Sequence, residues 1–442
     1  MLFKLYSYIQ PIHYFELYRK DGTSIFPTEQ TLKINGLIPS KEVSNQPQPL
    51  GQQYSLAFQA IKTGLISEAT TLTAVKELTL LEEYTFLRTQ VNRLWVGYVL
   101  LLRLLALKNP LKELRAVYQT RHTKKKPVIG NGESHKAYRA FKSDLINQQP
   151  LVSVIIPTLN RYPYLKDVLT DLEQQEYQNI EVLIVDQSDA FDQEFYKDYK
   201  LNINLTYQKE KALWRARNTA IRKAKGEYLL FFDDDSRVDT DWVSEHLKTL
   251  DYFKADISSG VSISKVGDKV PAHYAYFKIS EQLDTGNAMI KRSVFKQIGL
   301  FDRQFEKMRM GDGEFGCRAF VAGLKNVSNP KAKRLHLKVG QGGLRAMGSW
   351  DAFRTKYLWQ PRPIPSVLYY FRRYYGTKRS LLAIVKTVPL AIMPYRFKGS
   401  AKATGLGLVL LLFIWPLVLF QVMRSWRMAS KMLATGPKIE QL

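Results

Sequence analysis

Residues 229–242 read LLFFDDDSRVDTDW. Four apolar residues, Leu229 to Phe232, run directly into Asp233, Asp234 and Asp235. A short apolar run that stops at polar residues predicts a buried strand ending where the carboxylates begin. Three like charges on consecutive residues repel, so either water screens them or something positive sits among them. Taken alone, the triplet also reads as a solvated acidic turn, or as the N-cap of a helix beginning near Asp239.

Upstream, the same alternation recurs. VSVIIP, from Val152, is a β-branched run that ends at a turn. YLKDVLTDLEQQ follows with helical spacing, then EVLIVD as a second β run, WRARNTAIRKAKG as a helix stopped by Gly226, and EYLLFF as a third strand. Strands alternating with helices imply parallel pairing in a sheet covered on both faces. Ligands of such sheets bind beyond the carboxyl ends of the strands, and Asp186 and Asp233–Asp235 both fall there. Clustered carboxylates suit Mg²⁺ or Mn²⁺, hard cations that prefer oxygen ligands.

Over roughly residues 150–350 an ordered set of short motifs accompanies the triplet: VSVIIPTLNRYPYLKDVLTDLEQQEYQNIEVLIVDQSD, ARN at 216–218, GNAMIKRSVFKQIGLFD at 286–302, GDGEFGCRAFVAG at 311–323 and HLKVGQGG at 336–343. Their order and gaps resemble a family 2 glycosyltransferase. The resemblance implies an α/β domain of the GT-A type that binds a nucleotide-sugar on a mixed, largely parallel sheet. It places Pro157, Thr158 and Asn160 against the nucleotide, Asp186 on the base, and Arg217 near base and ribose. Asp233 and Asp235 match the D-x-D element, the first towards ribose and the second holding Mn²⁺ or Mg²⁺ on the diphosphate, with Asp234 between them in a minor part. His336 matches a histidine that adds a ligand to the metal or a contact to the phosphates; its other reading is structural.

The implied reaction inverts the sugar and needs a base for the acceptor hydroxyl. Asp312 fits that place. A common family version has Glu-Asp there, whereas this chain has Gly311-Asp312, and Glu314 stands two residues on as a hydrogen-bond acceptor or substitute base. Both acids also suit a helix N-terminus, where the dipole favours negative charge. Lys338, Gly342, Gly343 and Arg345 read as a closing loop over the diphosphate or as a connecting turn, and Trp214 as a site aromatic or a packing one. The Q-x-x-R-W element of processive synthases is absent, which implies a single-addition enzyme.

The rest of the 442 residues frames this domain. Residues 1–125 form an N-terminal region, largely helical over 54–118, in which WVGYVLLLRLLAL (95–107) is too short to span a bilayer and reads as a core or interfacial helix. Residues 126–150 are a polar, basic linker. Residues 351–442 are aromatic and basic, and 404–423, TGLGLVLLLFIWPLVLFQVM, is a twenty-residue apolar run with the length of a transmembrane helix. The segment 380–394 is marginal for spanning. The net charge is +25, and from Lys331 onward 20 Lys and Arg face only Asp351 and Glu440. Beside such an apolar run, that excess points to an anionic membrane surface and away from nucleic acid, for which no motif appears. A single cysteine, Cys317, excludes an internal disulfide and fits a reducing compartment.

The expectation is a membrane-attached enzyme on the cytoplasmic face, moving a sugar from a nucleotide-diphosphate sugar, a UDP-sugar by default, to a glycan or lipid-linked acceptor in surface polysaccharide assembly. The alternative is an inactive scaffold of the same fold.

Overall fold

In the computed structural model, which describes residues 3–23, 26, 49–66, 76–125, 137–264, 269–280, 283–339, 352–355 and 357–442, the N-terminal region is helical in separate pieces. Its helices are α1 (Leu50–Lys62), α2 (Leu80–Gln90), α3 (Arg93–Leu105) and α4 (Pro110–Gln119). Capping residues divide the longer stretch that the spacing predicts. Thr79 and Glu82 form a reciprocal capping box at the start of α2, Asn92 accepts from Trp95 N ahead of α3, and Asn109 accepts from Lys112 N with Pro110 at the first helical position. Phe3 stacks on Phe86 at 3.7 Å between centroids and meets Phe26, Tyr54 and Phe58 edge-on, giving this unit an aromatic core.

The second unit comprises Gly130–Gly348 and Ser430–Leu442. After two short turns of helix, α5 (Ala137–Ala140) and α6 (Asp144–Asn147), it runs β1 (Val152–Thr158), α7 (Tyr162–Glu173), β2 (Ile180–Asp186), β3 (Ile203–Tyr207), α8 (Leu213–Lys223) and β4 (Tyr228–Phe232). It continues β5 (Ser236–Val238), α9 (Trp242–Tyr252), β6 (Ile257–Ile263), β7 (Lys278–Ile279), β8 (Asn287–Lys291), α10 (Arg292–Ile298), α11 (Gly311–Val321) and β9 (Asn326–His336). The sheet order is β3-β2-β1-β4-β8-β6-β9-β5, with β7 on β9. The β3-β2-β1-β4 half is parallel and every residue of β1, β2 and β4 is buried, as their unbroken apolar character predicts. Beyond β4 the pairing becomes mixed, because β8 runs antiparallel to both β4 and β6 while β6 and β9 are parallel. The α/β architecture with a mixed, largely parallel sheet is therefore present.

One consequence of this order shapes the site. β4 and β5 are separated by only Asp233–Asp235, yet β5 pairs at the far end of the sheet with β9. Four peptide steps reach at most about 14 Å, so the carboxyl end of β9 must curl back to the end of β4. A register shift between Gly260 and Val261, opposite Asn329 and Lys333, bends the β6–β9 ladder where this is needed.

Asn287 ties the mixed half together. Its Oδ1 accepts from Trp242 Nε1 at 2.8 Å and lies 3.1 Å from His246 Nε2, and its Nδ2 donates to Val261 O and Ala332 O. Burial pulls the pKa of His246 down to about 4, so its ring is neutral and contacts Ser258 Oγ from the other nitrogen. The unit's last residues lie along the segment before α11: Leu300 N donates to Glu440 O, and Lys438 N to Asp302 Oδ1.

Residues 1–129 and 349–429 belong together in the first unit, so the N-terminal region and most of the basic C-terminal region are one body. Its later helices are α12 (Pro365–Leu390) and α13 (Ala401–Thr435), the last turn of α13 passing into the second unit. Residues 380–390 form the end of α12, where Ser380, Ala383, Ile384 and Val388 are buried, so this stretch packs as a protein helix. Among the described residues α13 is the one helix long and apolar enough to cross a membrane. At about 1.5 Å per residue it exceeds the ~30 Å of a hydrocarbon core.

Replacing Asn287 by Ala leaves Trp242 Nε1, His246 and two carbonyls without this partner. At about 1–3 kcal/mol per buried unsatisfied group, the variant is expected to lose several kcal/mol in urea unfolding monitored by tryptophan fluorescence.

Candidate functional site

The end of β4 delivers Asp233, and the β5–β9 ladder delivers Asp235 and His336. Ser236 pairs with His336 in that ladder, and Leu337 N donates to Asp235 O. His336 Nε2 therefore lies 3.3 Å from Asp235 Oδ1. Asp233, Asp235 and His336 can each turn one donor atom to within 4.8 Å of the others. Two carboxylates and an imidazole form a mixed oxygen and nitrogen set that suits Mn²⁺, and Mg²⁺ with more of its shell left to water and phosphate.

Positive groups, and not water alone, offset the triplet. Asp233 accepts from Arg217 Nη2 at 3.1 Å and from Arg334 Nη1 at 2.7 Å. Arg334 also reaches Asp284 at 2.7 Å and Ser262 Oγ at 3.0 Å. Asp234 accepts from Thr158 Oγ1 and Arg161 Nη1, both at 2.8 Å, and Arg161 Nη1 lies 3.2 Å from Asp235. Burial pushes the carboxyl of Asp234 up to about 6, with Arg161 and Thr158 pulling against it. Burial acts the same way on Asp284, but the Arg334 guanidinium together with hydrogen bonds from Ser262 and Gly286 leaves that carboxyl below its ordinary value.

Gly286 makes room for this network. A Cβ there would stand 1.9 Å from Arg334 Nη1 and 2.2 Å from Asp233 Oδ2. Arg161, Arg334 and Asp284 were not singled out from the sequence. Arg334 carried a usable signal, because residues two apart on a strand share a face and it precedes His336 by two. Arg161 lies within the turn that holds Pro157, Thr158 and Asn160. Asp284 has no local signature.

The residues expected against the nucleotide cluster at the ends of β1 and β2. Thr158 stands opposite Asp186 and Pro157 opposite Val185 in the parallel ladder. Asn160 has a left-handed backbone (φ 55°) and clasps the neighbouring loop: its N–H donates to Ser188 Oγ, and its side chain exchanges bonds with Asp189. Asp186 is fully buried and accepts from Tyr162 Oη at 2.6 Å, Tyr196 Oη at 2.7 Å and Ser188 N at 2.8 Å. Arg217 is almost wholly buried, bonding Asp233 and Thr285 O, so it sits beneath the aspartates instead of facing a base.

Asp312 opens α11, and its Oδ1 accepts from Gly313 N. Glu314 does not share its setting: it is fully buried and both of its oxygens are bound by Arg318 at 3.1 Å. That pairing, an i,i+4 bridge inside the helix, is a structural role and removes Glu314 from the set facing an acceptor. Trp214 packs, donating from Nε1 to Phe305 O at 3.0 Å and lying on Phe301. Its ring explains the absent acid, since a Cβ on residue 311 would stand 2.3 Å from Trp214 Cζ2. Lys338 is described, whereas Gly342, Gly343 and Arg345 lie outside the described residues.

Two substitutions test this arrangement. Asp233→Ala takes the only carboxylate that Arg217 is shown to pair with and one of the two that hold Arg334, which keeps Asp284, and is expected to cost about 3–5 kcal/mol in chemical denaturation, well above the cost of Asp235→Ala. Gly311→Glu, which restores the family's acid, is expected to destabilise by about 1–3 kcal/mol through overpacking, and Trp214→Ala is expected to recover part of that loss in the double variant.

The profile of Glycosyl transferase family 2 matches residues 153–320, which hold β1 through most of α11. Glycosyltransferase GlyA of Streptococcus pneumoniae serotype 4 is 32% identical over 36% of this chain and 22% of its own length. A teichuronic acid biosynthesis glycosyltransferase of Bacillus subtilis, TuaG, is 31% identical over 24% of this chain and 43% of its own. The chain thus spans less than half the length of these relatives. The solved structure of Staphylococcus aureus TarS 1–349 with UDP-GlcNAc aligns at 17% identity over 63% of this chain and 81% of that one, with a TM-score of 0.41. Residues 153–320, from the first strand to the helix that carries Asp312, are thus similar to a family 2 glycosyltransferase domain.

Proposed function

We propose that the chain is an inverting, metal-dependent glycosyltransferase that moves one sugar from a nucleotide-diphosphate donor to a glycan or lipid-linked glycan acceptor. The observation that carries this reading is the Asp233, Asp235 and His336 cluster at the carboxyl edge of a family 2 domain. Asp235 and His336 would hold Mn²⁺ or Mg²⁺, whose positive charge offsets the charge that grows on the leaving diphosphate. Asp233 faces the ribose from its two arginines. Pro157, Thr158, Asn160 and Asp186 form the wall for the nucleotide, and Arg217 acts by orienting Asp233. Asp312 takes the proton of the acceptor hydroxyl as its oxygen bonds to the anomeric carbon and the bond to diphosphate breaks on the opposite face.

The relatives and α13 support a setting for this activity. TuaG is named for teichuronic acid synthesis, and TarS for adding N-acetylglucosamine to poly(ribitol-phosphate). These names support an acceptor in surface polysaccharide and a UDP-sugar as first donor to try. Helix α13 would attach the enzyme to the membrane with its catalytic unit in the cytoplasm, where nucleotide-sugars are found. The packed Gly311–Trp214 contact supports an inactive scaffold as second reading, because it removes one acid of the family's pair.

A donor screen with Mn²⁺ or Mg²⁺ decides between them. Asp235→Ala is expected to lose metal-supported donor binding. Asp312→Asn should bind donor with little change and slow transfer or donor hydrolysis by about 10²–10⁴-fold. Wild-type turnover eliminates the scaffold, and unchanged transfer in both variants overturns the roles assigned here.

A further inference from the structure

The α3–α4 hairpin turns leucines to the surface while it buries an ion pair. Glu113 is buried, accepts from Tyr84 Oη at 2.6 Å and pairs with Arg103. Arg88, on the adjoining α2, likewise reaches in to Thr120 Oγ1 at 2.9 Å. Its leucines point outward. On α3, Leu94, Leu101 and Leu105 are exposed at a spacing that keeps them on one face, and on α4 Leu111, Leu114 and Tyr118 do the same. Leu107, in the turn that joins the helices, is 92% exposed. Scattered exposed leucines are ordinary, but a stripe on each of two adjacent helices, with an exposed leucine in the turn between them, concentrates apolar surface at one hairpin.

The charges around the tip name the medium. Lys108, Lys112, Arg115, Arg121, Lys124 and Lys125 are all exposed, while the single acid between residues 106 and 125, Glu113, is buried. An apolar wedge with an all-cationic rim complements the acyl chains and anionic headgroups of a lipid leaflet. The helices are 13 and 10 residues long, about 20 and 15 Å, too short to cross a ~30 Å core. The same unit contains most of α13, whose Leu412, Phe413 and Trp415 are also exposed. We infer that the α3–α4 hairpin is a second membrane-binding element, dipping into one leaflet of an anionic bilayer independently of α13.

The test uses the full chain in proteoliposomes containing phosphatidylglycerol. Cys317 is buried, so Leu111→Cys can be labelled selectively with an environment-sensitive fluorophore, as can Leu412→Cys on α13. Brominated acyl chains are expected to quench the probe at 111 as they quench the probe at 412, relative to unbrominated vesicles. Quenching at 412 with none at 111 overturns the inference. Energy transfer between labelled copies at 111, without bromine quenching, also overturns it and assigns the face to self-association. Combining Leu111→Cys with Lys108→Glu, Lys112→Glu and Arg115→Glu should reduce quenching at 111 in anionic vesicles while that at 412 persists. Undiminished quenching removes the headgroup contribution.

Discussion

Three adjacent carboxylates at a strand end cannot coexist at low dielectric without cations between them, and the neutralisation of Asp233–Asp235 is the constraint on which the second unit turns. Each cation comes from a different part of the chain: Arg161 from the turn after β1, Arg217 from α8, and Arg334 from β9. Holding all three in place requires the long β9 strand to return to the end of β4, and the bend opposite Gly260 permits it. Gly286 is small because the Asp233–Arg334 pair passes against it. The network also separates the aspartates by task. Asp233 is pinned from two sides, Asp234 is buried under Thr158 and Arg161, and Asp235 shares its carboxylate with His336.

The start of α11 follows a different logic. Asp312 stands at the start of α11, where the helix dipole favours its charge. The residue before it is glycine because the Trp214 ring fills the space of a side chain. Gly311, where the resemblance leads one to expect an acid, is thus set by packing against an aromatic ring. Glu314 illustrates the reverse case. Its spacing from Asp312 suggests chemistry, but Arg318 one turn later binds it inside the helix.

Much of the second unit was legible in linear order because parallel strands buried on both faces must be continuous apolar runs, and their carboxyl ends are where polar residues gather. VSVIIP, EVLIVD and EYLLFF are such runs, and Thr158, Asp186 and Asp233 stand at their ends. The arginines were harder to see. An arginine in a helix or strand reads as a surface residue unless its partner is known, and the partners of Arg217 and Arg334 are 16 and 101 residues away. The division of the N-terminal helices was visible only in their caps, Thr79, Asn92 and Asn109.

Local order in the chain determined the strands and helices, the acidic edge, the apolar length of α13 and the family resemblance, since all of these depend on neighbours within a few residues. Tertiary structure alone decided which charges meet, that the N-terminal helices and residues 349–429 share one unit, and which face of α3 and α4 is turned outward. Those outcomes depend on residues far apart in sequence competing for the same interior, and burial of Glu113 and Arg334 is settled only when their partners arrive.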